Sequence, residues 1–171
     1  MKKKKSFIAL ALVVAVLVLG VGYALTVIDL KVNGDITVSP DDSNFDVNFT
    51  NASITTTGTL AGQTDTATKG DGKTATLSVK SLKTVGEKVV AEYTITNNSK
   101  AGINATLSNP TATQTNDAAK EYYTVTAVLA DNNPIAPNGT KKLTVTVELV
   151  KAPLEEVTGA FEVAFNATAT K

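Results

Sequence analysis

The chain of 171 residues contains no cysteine, histidine, tryptophan or arginine, and its one methionine is the initiator. Without cysteine, an exported protein has no disulfide framework, so packing alone must stabilise its fold. Without histidine, the His-Glu-x-x-His zinc site and the Ser-His-Asp and Cys-His catalytic arrangements are excluded. Without arginine, every basic side chain is a lysine, which lacks the bidentate fork of a guanidinium group.

These absences argue against an enzyme, and no cofactor is predicted. A Ser-Lys catalytic pair is formally open, but the serines and lysines are scattered without a distinctive spacing. The adjacent carboxylates Glu155 and Glu156 follow Pro153, where a solvated turn is the favoured interpretation. Glycines beside lysine between Lys69 and Lys73 do not form a phosphate-binding loop, and we predict a flexible tip there.

The start of the chain has the layout of a secretory signal peptide. Four lysines, Lys2 to Lys5, precede an uncharged run from Phe7 to Ala24 that ends in small residues. Cleavage after Ala24 would divide the chain into a leader, 1–24, and one exported domain, 25–171. The export machinery and signal peptidase are then its partners, and its place is the medium or the cell surface. The alternative is an uncut membrane anchor, since a spanning helix needs about 20 apolar residues.

The mature domain is mildly acidic. The leader holds four of the 16 lysines, which leaves 12 basic against 16 acidic groups and a net charge of −4. A chain of this charge with no basic run outside the leader is not expected to bind nucleic acid. Contact with a membrane is expected only through the leader.

Apolar and polar residues alternate along most of the mature chain, which is the pattern of half-buried strands. The pattern predicts roughly eight or nine antiparallel strands that form an all-β sandwich of jelly-roll or immunoglobulin-like type. We predict a long mobile loop or a weak edge hairpin for Thr55–Lys73, and one helical turn for Asp117–Glu121. The predicted strands lie around these segments: 28–32, 36–38, 45–49, 75–79, 89–96, 103–107, 123–129, 143–149 and 161–167.

The first predicted strand does not form a simple hairpin with the second. A two-residue turn at Asn33-Gly34 would place Ile36 and Val38 on the wrong face. A three-residue loop, Asn33 to Asp35, would pair Val32 with Ile36 and restore the agreement. The other alternative is that the two segments do not pair with each other.

Three aspartates around the following loop, Asp41, Asp42 and Asp46, could offer oxygen ligands to calcium. Their spacing lacks the alternation and the glycine of an EF-hand loop, so a solvated Asx-turn is favoured. Several Asn-x-Ser/Thr triplets also occur, but chance supplies them in a chain this rich in asparagine and threonine.

Two strand-and-turn segments carry a resemblance to a known family. The run Val89–Ser99 with its return at Ile103–Leu107, and Pro137–Thr140 leading into Leu143–Leu149, resemble segments of bacterial surface sandwich domains. With the lysine-led leader and the strand just after Ala24, the plan is similar to the secreted TasA/camelysin group of Gram-positive bacteria. The resemblance implies a jelly-roll subunit of biofilm-matrix fibres. In such fibres the mature N-terminal strand of one subunit completes the sheet of the next.

Three hypotheses follow for function. The first is a structural homopolymer, joined head to tail by donation of an N-terminal assembly strand whose apolar residues are Leu25, Val27, Ile28, Leu30 and Val32. The second is a monomeric adhesin or binding module of immunoglobulin-like fold, anchored by an uncut leader. The third, an extracellular hydrolase, has the least support because the usual catalytic side chains are missing.

Overall fold

The computed structural model describes residues 27–32 and 44–170, and within them the chain forms ten strands and one short 3-10 helix. The strands are β1 (Val27–Val32), β2 (Val47–Thr56), β3 (Thr66–Thr68), β4 (Thr74–Ser78), β5 (Lys88–Asn97), β6 (Asn104–Leu107), β7 (Thr111–Gln114), β8 (Tyr123–Leu129), β9 (Thr140–Leu149) and β10 (Phe161–Thr170). No helix in these two ranges is long and apolar enough to cross a membrane.

The strands form two sheets that pack face to face. One sheet has the order β3-β4-β1-β10-β6, with β7 pairing to β10 as well, and the other has the order β2-β5-β9-β8. Every pair is antiparallel except β1 with β4, which is parallel. The predicted all-β sandwich is therefore confirmed. Among the ten described strands, most chain neighbours lie in opposite sheets or are unpaired, and only β3–β4 and β8–β9 are hairpins of consecutive strands.

The core lies between the sheets and consists of the alternating residues that the sequence predicted. Along β5, Val89, Ala91, Tyr93 and Ile95 are buried while the residues between them are only partly so. Aromatic rings join the two sheets, because Phe49 packs edge-on against Tyr93 at 5.8 Å and Phe165 at 6.0 Å between centroids. The Tyr93 hydroxyl donates to the Thr76 carbonyl in the opposite sheet at 2.8 Å, so the buried hydroxyl is satisfied.

Three segments with little apolar pattern form secondary structure that is held by hydrogen bonds. The β3–β4 hairpin confirms the edge-hairpin alternative within Thr55–Lys73, and β2 itself runs on to Thr56. The strand β7 was not predicted, because Thr111–Gln114 offers no apolar face; it forms by pairing with the first half of β10. The predicted helical turn is confirmed as a 3-10 helix at Asp117–Ala119, where the Asn116 side chain accepts from the Ala118 amide.

Candidate functional site: the N-terminal strand and its slot

The strand β1 lies inside the six-stranded sheet, between β10 and β4. It pairs antiparallel with β10 over all six of its residues, from Val27 opposite Thr168 to Val32 opposite Val163. It pairs in parallel with β4, where Lys31 and Val32 lie opposite Thr74 and Ala75. On their far sides β4 is paired with β3, and β10 with β6 and β7. We call the space between β4 and β10 the slot, because both of its walls are built without β1.

The register of β1 divides its residues between the two faces of the sheet. Residues directly opposite each other on paired strands share one face. The β10 partners of Ile28, Leu30 and Val32 all have buried side chains; they are Ala167, Phe165 and Val163. The register thus places these three predicted assembly residues at core-facing positions of the sheet, while Val27 takes a position on the opposite face. Leu25 and the predicted cleavage site after Ala24 lie outside the described residues.

A hairpin between β1 and the segment that follows it would need a free edge on β1. Its partner segment, with Ile36 and Val38, lies outside the described residues. At Lys31 and Val32, β10 pairs with one edge of β1 and β4 with the other. The edge that a hairpin beginning at Val32 would use is therefore already occupied there, which supports the alternative without a hairpin.

The strands β1 and β2 run in the same direction. The start of β4 is tied to the start of β2, since the Phe49 amide donates to the Gly72 carbonyl at 2.7 Å. The end of β4 is tied to the end of β2, where the Gly58 amide donates to the Ser81 hydroxyl at 2.7 Å. Because β1 is parallel to β4, it also runs parallel to β2. Two strands that run the same way cannot be joined by a tight turn and need a crossover.

One buried polar residue is not predicted by the sequence analysis. The predicted strand 89–96 ends before Asn97, but the structure extends β5 to this residue and its side chain is fully buried there. Its amide nitrogen donates to the Ile103 carbonyl at 2.9 Å and to the Ile135 carbonyl at 2.8 Å, and its oxygen accepts from the Ser99 amide at 3.0 Å. The signal was present, because Asn97 continues the alternation Val89, Ala91, Tyr93, Ile95 on the core-facing side.

The calcium candidate Asp46 is engaged by a lysine. Its carboxylate forms an ion pair with Lys73 Nζ at 2.7 Å and accepts from the Asn48 side chain at 2.6 Å. Partial burial alone would raise the pKa of Asp46, but the hydrogen bond and charge of Lys73, with Asn48 and Asn98, hold it below the ordinary value. Asp41 and Asp42 lie outside the described residues, within which no three acidic, histidine or cysteine side chains cluster as a metal site would require.

The two remaining candidate segments are turns or loops. The tip between Lys69 and Lys73 joins β3 to β4, and the Asp71 carboxylate accepts from the backbone amides of Lys73 at 2.9 Å and Thr74 at 2.8 Å. The hydrogen bonds from these two amides hold the pKa of Asp71 below its ordinary value, and the bond from Thr74 has the larger effect. Glu155 and Glu156 lie exposed in the loop between β9 and β10, as the solvated-turn interpretation predicted.

No protein-family model, curated protein or solved structure matches this chain. The slot and the strand that fills it are therefore the features that bear on function.

Proposed function

We propose that the protein is an extracellular structural subunit that forms a homopolymer by placing residues 25–32 in the slot of the next copy. The observation that carries the proposal is the position of β1 inside the sheet, between β4 and β10. The slot walls belong to the rest of the domain, whereas β1 is joined to that domain only through residues 33–43. A strand with this attachment can be supplied by its own chain or by a second copy.

The two strands that line the slot are suited to accept a strand from a second copy. An empty slot would leave the backbone groups of β10 and part of β4 unpaired, and open edges of that kind are templates for pairing with another chain. Backbone hydrogen bonds along the added strand supply affinity, and alternate side chains supply specificity. In this chain the alternate positions are those of Ile28, Leu30 and Val32, opposite buried partners.

The connection of β1 to β2 also favours exchange between copies. Within one chain, residues 33–43 have to lead from the end of β1 back to the start of a strand that runs the same way. Between two copies, the same residues lead directly from the slot of one subunit into the body of the next. Exchange of an identical element in this way is domain swapping, and if the arrangement does not close into a ring it makes a filament.

The leader would control when assembly begins. Cleavage after Ala24 would free the assembly strand at the outer face of the membrane, so polymers would form only after export. An anchored monomer is the second candidate, and the pairing of β1 within its own chain favours it. In that case the leader remains attached and the slot is filled internally.

The two candidates differ in what an expressing culture contains. We expect N-terminal sequencing of the extracellular protein to begin at Leu25, and negative-stain microscopy of the same fraction to show filaments. Intact Met1–Lys171 in the membrane fraction, with no filaments in the medium, would contradict the polymer and favour the anchored monomer. A variant with Ala24→Leu, which obstructs the small-residue cleavage site, serves as the control that should abolish extracellular filaments.

A further inference from the structure

Exposed large apolar side chains are concentrated at one end of the sandwich. Within the described ranges six such side chains are exposed, and only Val128, on the outer face of β8, lies away from this end. Leu154 is as exposed as in an extended chain, at 103%. We call this surface the apolar end; its residues are Leu60, Val85, Val150, Leu154 and Val157.

The loops of the apolar end are tied into one surface. The Thr59 hydroxyl donates to the Glu87 carboxylate, and the Gly86 amide donates to the Leu149 carbonyl at 2.8 Å. The Val150 amide in turn donates to the Tyr122 carbonyl at 2.8 Å. Hydrogen bonds from the Thr59 hydroxyl and from the Lys83 and Thr84 amides lower the pKa of Glu87 to about 2, so this carboxylate stays ionised at neutral pH.

The direction of β1 indicates which end of an acceptor subunit faces the subunit that donates the strand. Val32, the last residue of β1, lies opposite Val163, the third residue of β10, and β10 directly follows the loop that carries Leu154 and Val157. A donated strand therefore leaves its acceptor towards the apolar end. The body of the donor resumes at Asn44, whose carbonyl accepts from the Lys100 amide at 3.1 Å in the turn at the opposite end of the sandwich. Twelve steps along an extended chain, from residue 32 to residue 44, reach at most roughly 40 Å.

We propose that the apolar end of each acceptor docks against the Asn44 end of the copy that donates its strand. This inference rests on the proposed polymer and adds a second contact to it. Docking would cover Leu154 and Val157, which are exposed in the single chain. Apolar patches of this kind commonly mark protein interaction sites. Exposed Glu155 and Glu156 lie at the apolar end, which also carries exposed Lys83, and exposed Lys100 lies beside Asn44, so opposite charges can meet across this contact.

The test is the critical concentration for filament formation of the chain that begins at Leu25, measured by sedimentation. We expect Leu154→Ser to raise it about tenfold or more, because a large apolar side chain no longer leaves water on docking. Val128→Ser is the matched control, with an apolar side chain exposed away from this end, and should leave the critical concentration within about twofold of the unchanged chain.

A charge exchange tests the orientation of the contact. Glu155→Lys with Glu156→Lys should raise the critical concentration, and adding Lys100→Glu to that variant should lower it again. Filaments whose critical concentration is unchanged by Leu154→Ser would overturn the docking of the apolar end and leave strand donation standing. Failure of Lys100→Glu to lower the raised value would overturn the pairing with the Asn44 end. Absence of filaments from the unchanged chain would overturn the polymer and this contact together.

Discussion

Removal of residues 25–32 is expected to abolish filaments completely, and a peptide of the same eight residues is expected to bind the shortened chain. In the shortened chain, residues Val163–Thr168 of β10 lose the partner that β1 provides, as do Thr74 and Ala75 of β4. The domain that remains should be less stable, because it has lost a central strand. The peptide restores the pairing but cannot link two bodies, so it should stabilise the monomer without restoring filaments.

The size of the peptide effect follows from mass action. At a peptide concentration one hundred times its Kd, binding stabilises the folded state by about 2.7 kcal/mol. For a domain of this size, that corresponds to a rise in Tm of roughly 5–10 °C. Differential scanning fluorimetry and negative-stain microscopy of the same samples measure both expected outcomes. If the shortened chain is unfolded alone, recovery of its far-UV circular dichroism on adding the peptide measures the same binding.

A peptide with Leu30→Asp is the matched control, since it places a charge at the position opposite buried Phe165. It should leave the Tm of the shortened chain unchanged. Equal shifts from both peptides would show that binding is not specific to the slot. Filaments formed by the chain without residues 25–32 would contradict the role of β1 altogether.

Asn97→Ala is expected to cause a large loss of stability. The substitution leaves the Ile103 and Ile135 carbonyls and the Ser99 amide without their side-chain partner. The Ile135 carbonyl keeps the hydrogen bond from the Ala105 amide. The Ile103 carbonyl and the Ser99 amide are left unsatisfied, and at about 1–3 kcal/mol for each a total loss of roughly 2–6 kcal/mol is expected. That is a large fraction of the 5–15 kcal/mol that typically stabilises a domain.

Urea denaturation of the chain that begins at Leu25 measures this loss, with Asn132→Ala as the control. Asn132 is an exposed asparagine in the loop before β9, and its substitution should change the free energy of unfolding by less than about 0.5 kcal/mol. An equal, small effect from the two substitutions would contradict the assignment of Asn97 as a buried link between β5 and the segments at Ile103 and Ile135.

The sequence predicts the sheets of this protein well because most strands alternate cleanly. The apolar rows of β5, β9 and β10 identify their buried faces without any structure, and the structure confirms them. The strands β3 and β7 are less visible. Both are threonine-rich. The strand β3 is held by its local hairpin with β4, whereas β7 is held by pairing with β10, which is distant along the chain. Local residue patterns do not encode such long-range pairing.

The sequence predicts the strand of the candidate site but not the two strands that pair with it. The alternation of Ile28, Leu30 and Val32 predicts a strand, and the failed register at Asn33-Gly34 indicates that its partner lies elsewhere. Nothing in that pattern identifies β10, more than 120 residues away, or the parallel neighbour β4. Parallel pairing requires a crossover, so its partner cannot be found from a local turn.

The most direct test of strand donation is a disulfide between β1 of one copy and β10 of another. The Asn166 carbonyl accepts from the Ser108 amide at 2.8 Å, and the Asn166 amide donates to the Ser108 hydroxyl at 2.9 Å. These groups face away from β1, so Asp29 and Asn166 form a non-hydrogen-bonded pair, with Cα atoms about 4.5 Å apart. That distance lies within the range for a disulfide, and the natural chain has no cysteine to interfere.

One preparation therefore carries Asp29→Cys and another carries Asn166→Cys, both in the chain that begins at Leu25. They are mixed before assembly, oxidised, and separated by gel electrophoresis without reductant. Strand donation predicts a covalent heterodimer in the filament fraction that disappears on reduction, and a ladder of covalent multimers when one chain carries both substitutions. No heterodimer from the mixture, together with cross-links only within single chains of the double variant, would contradict it.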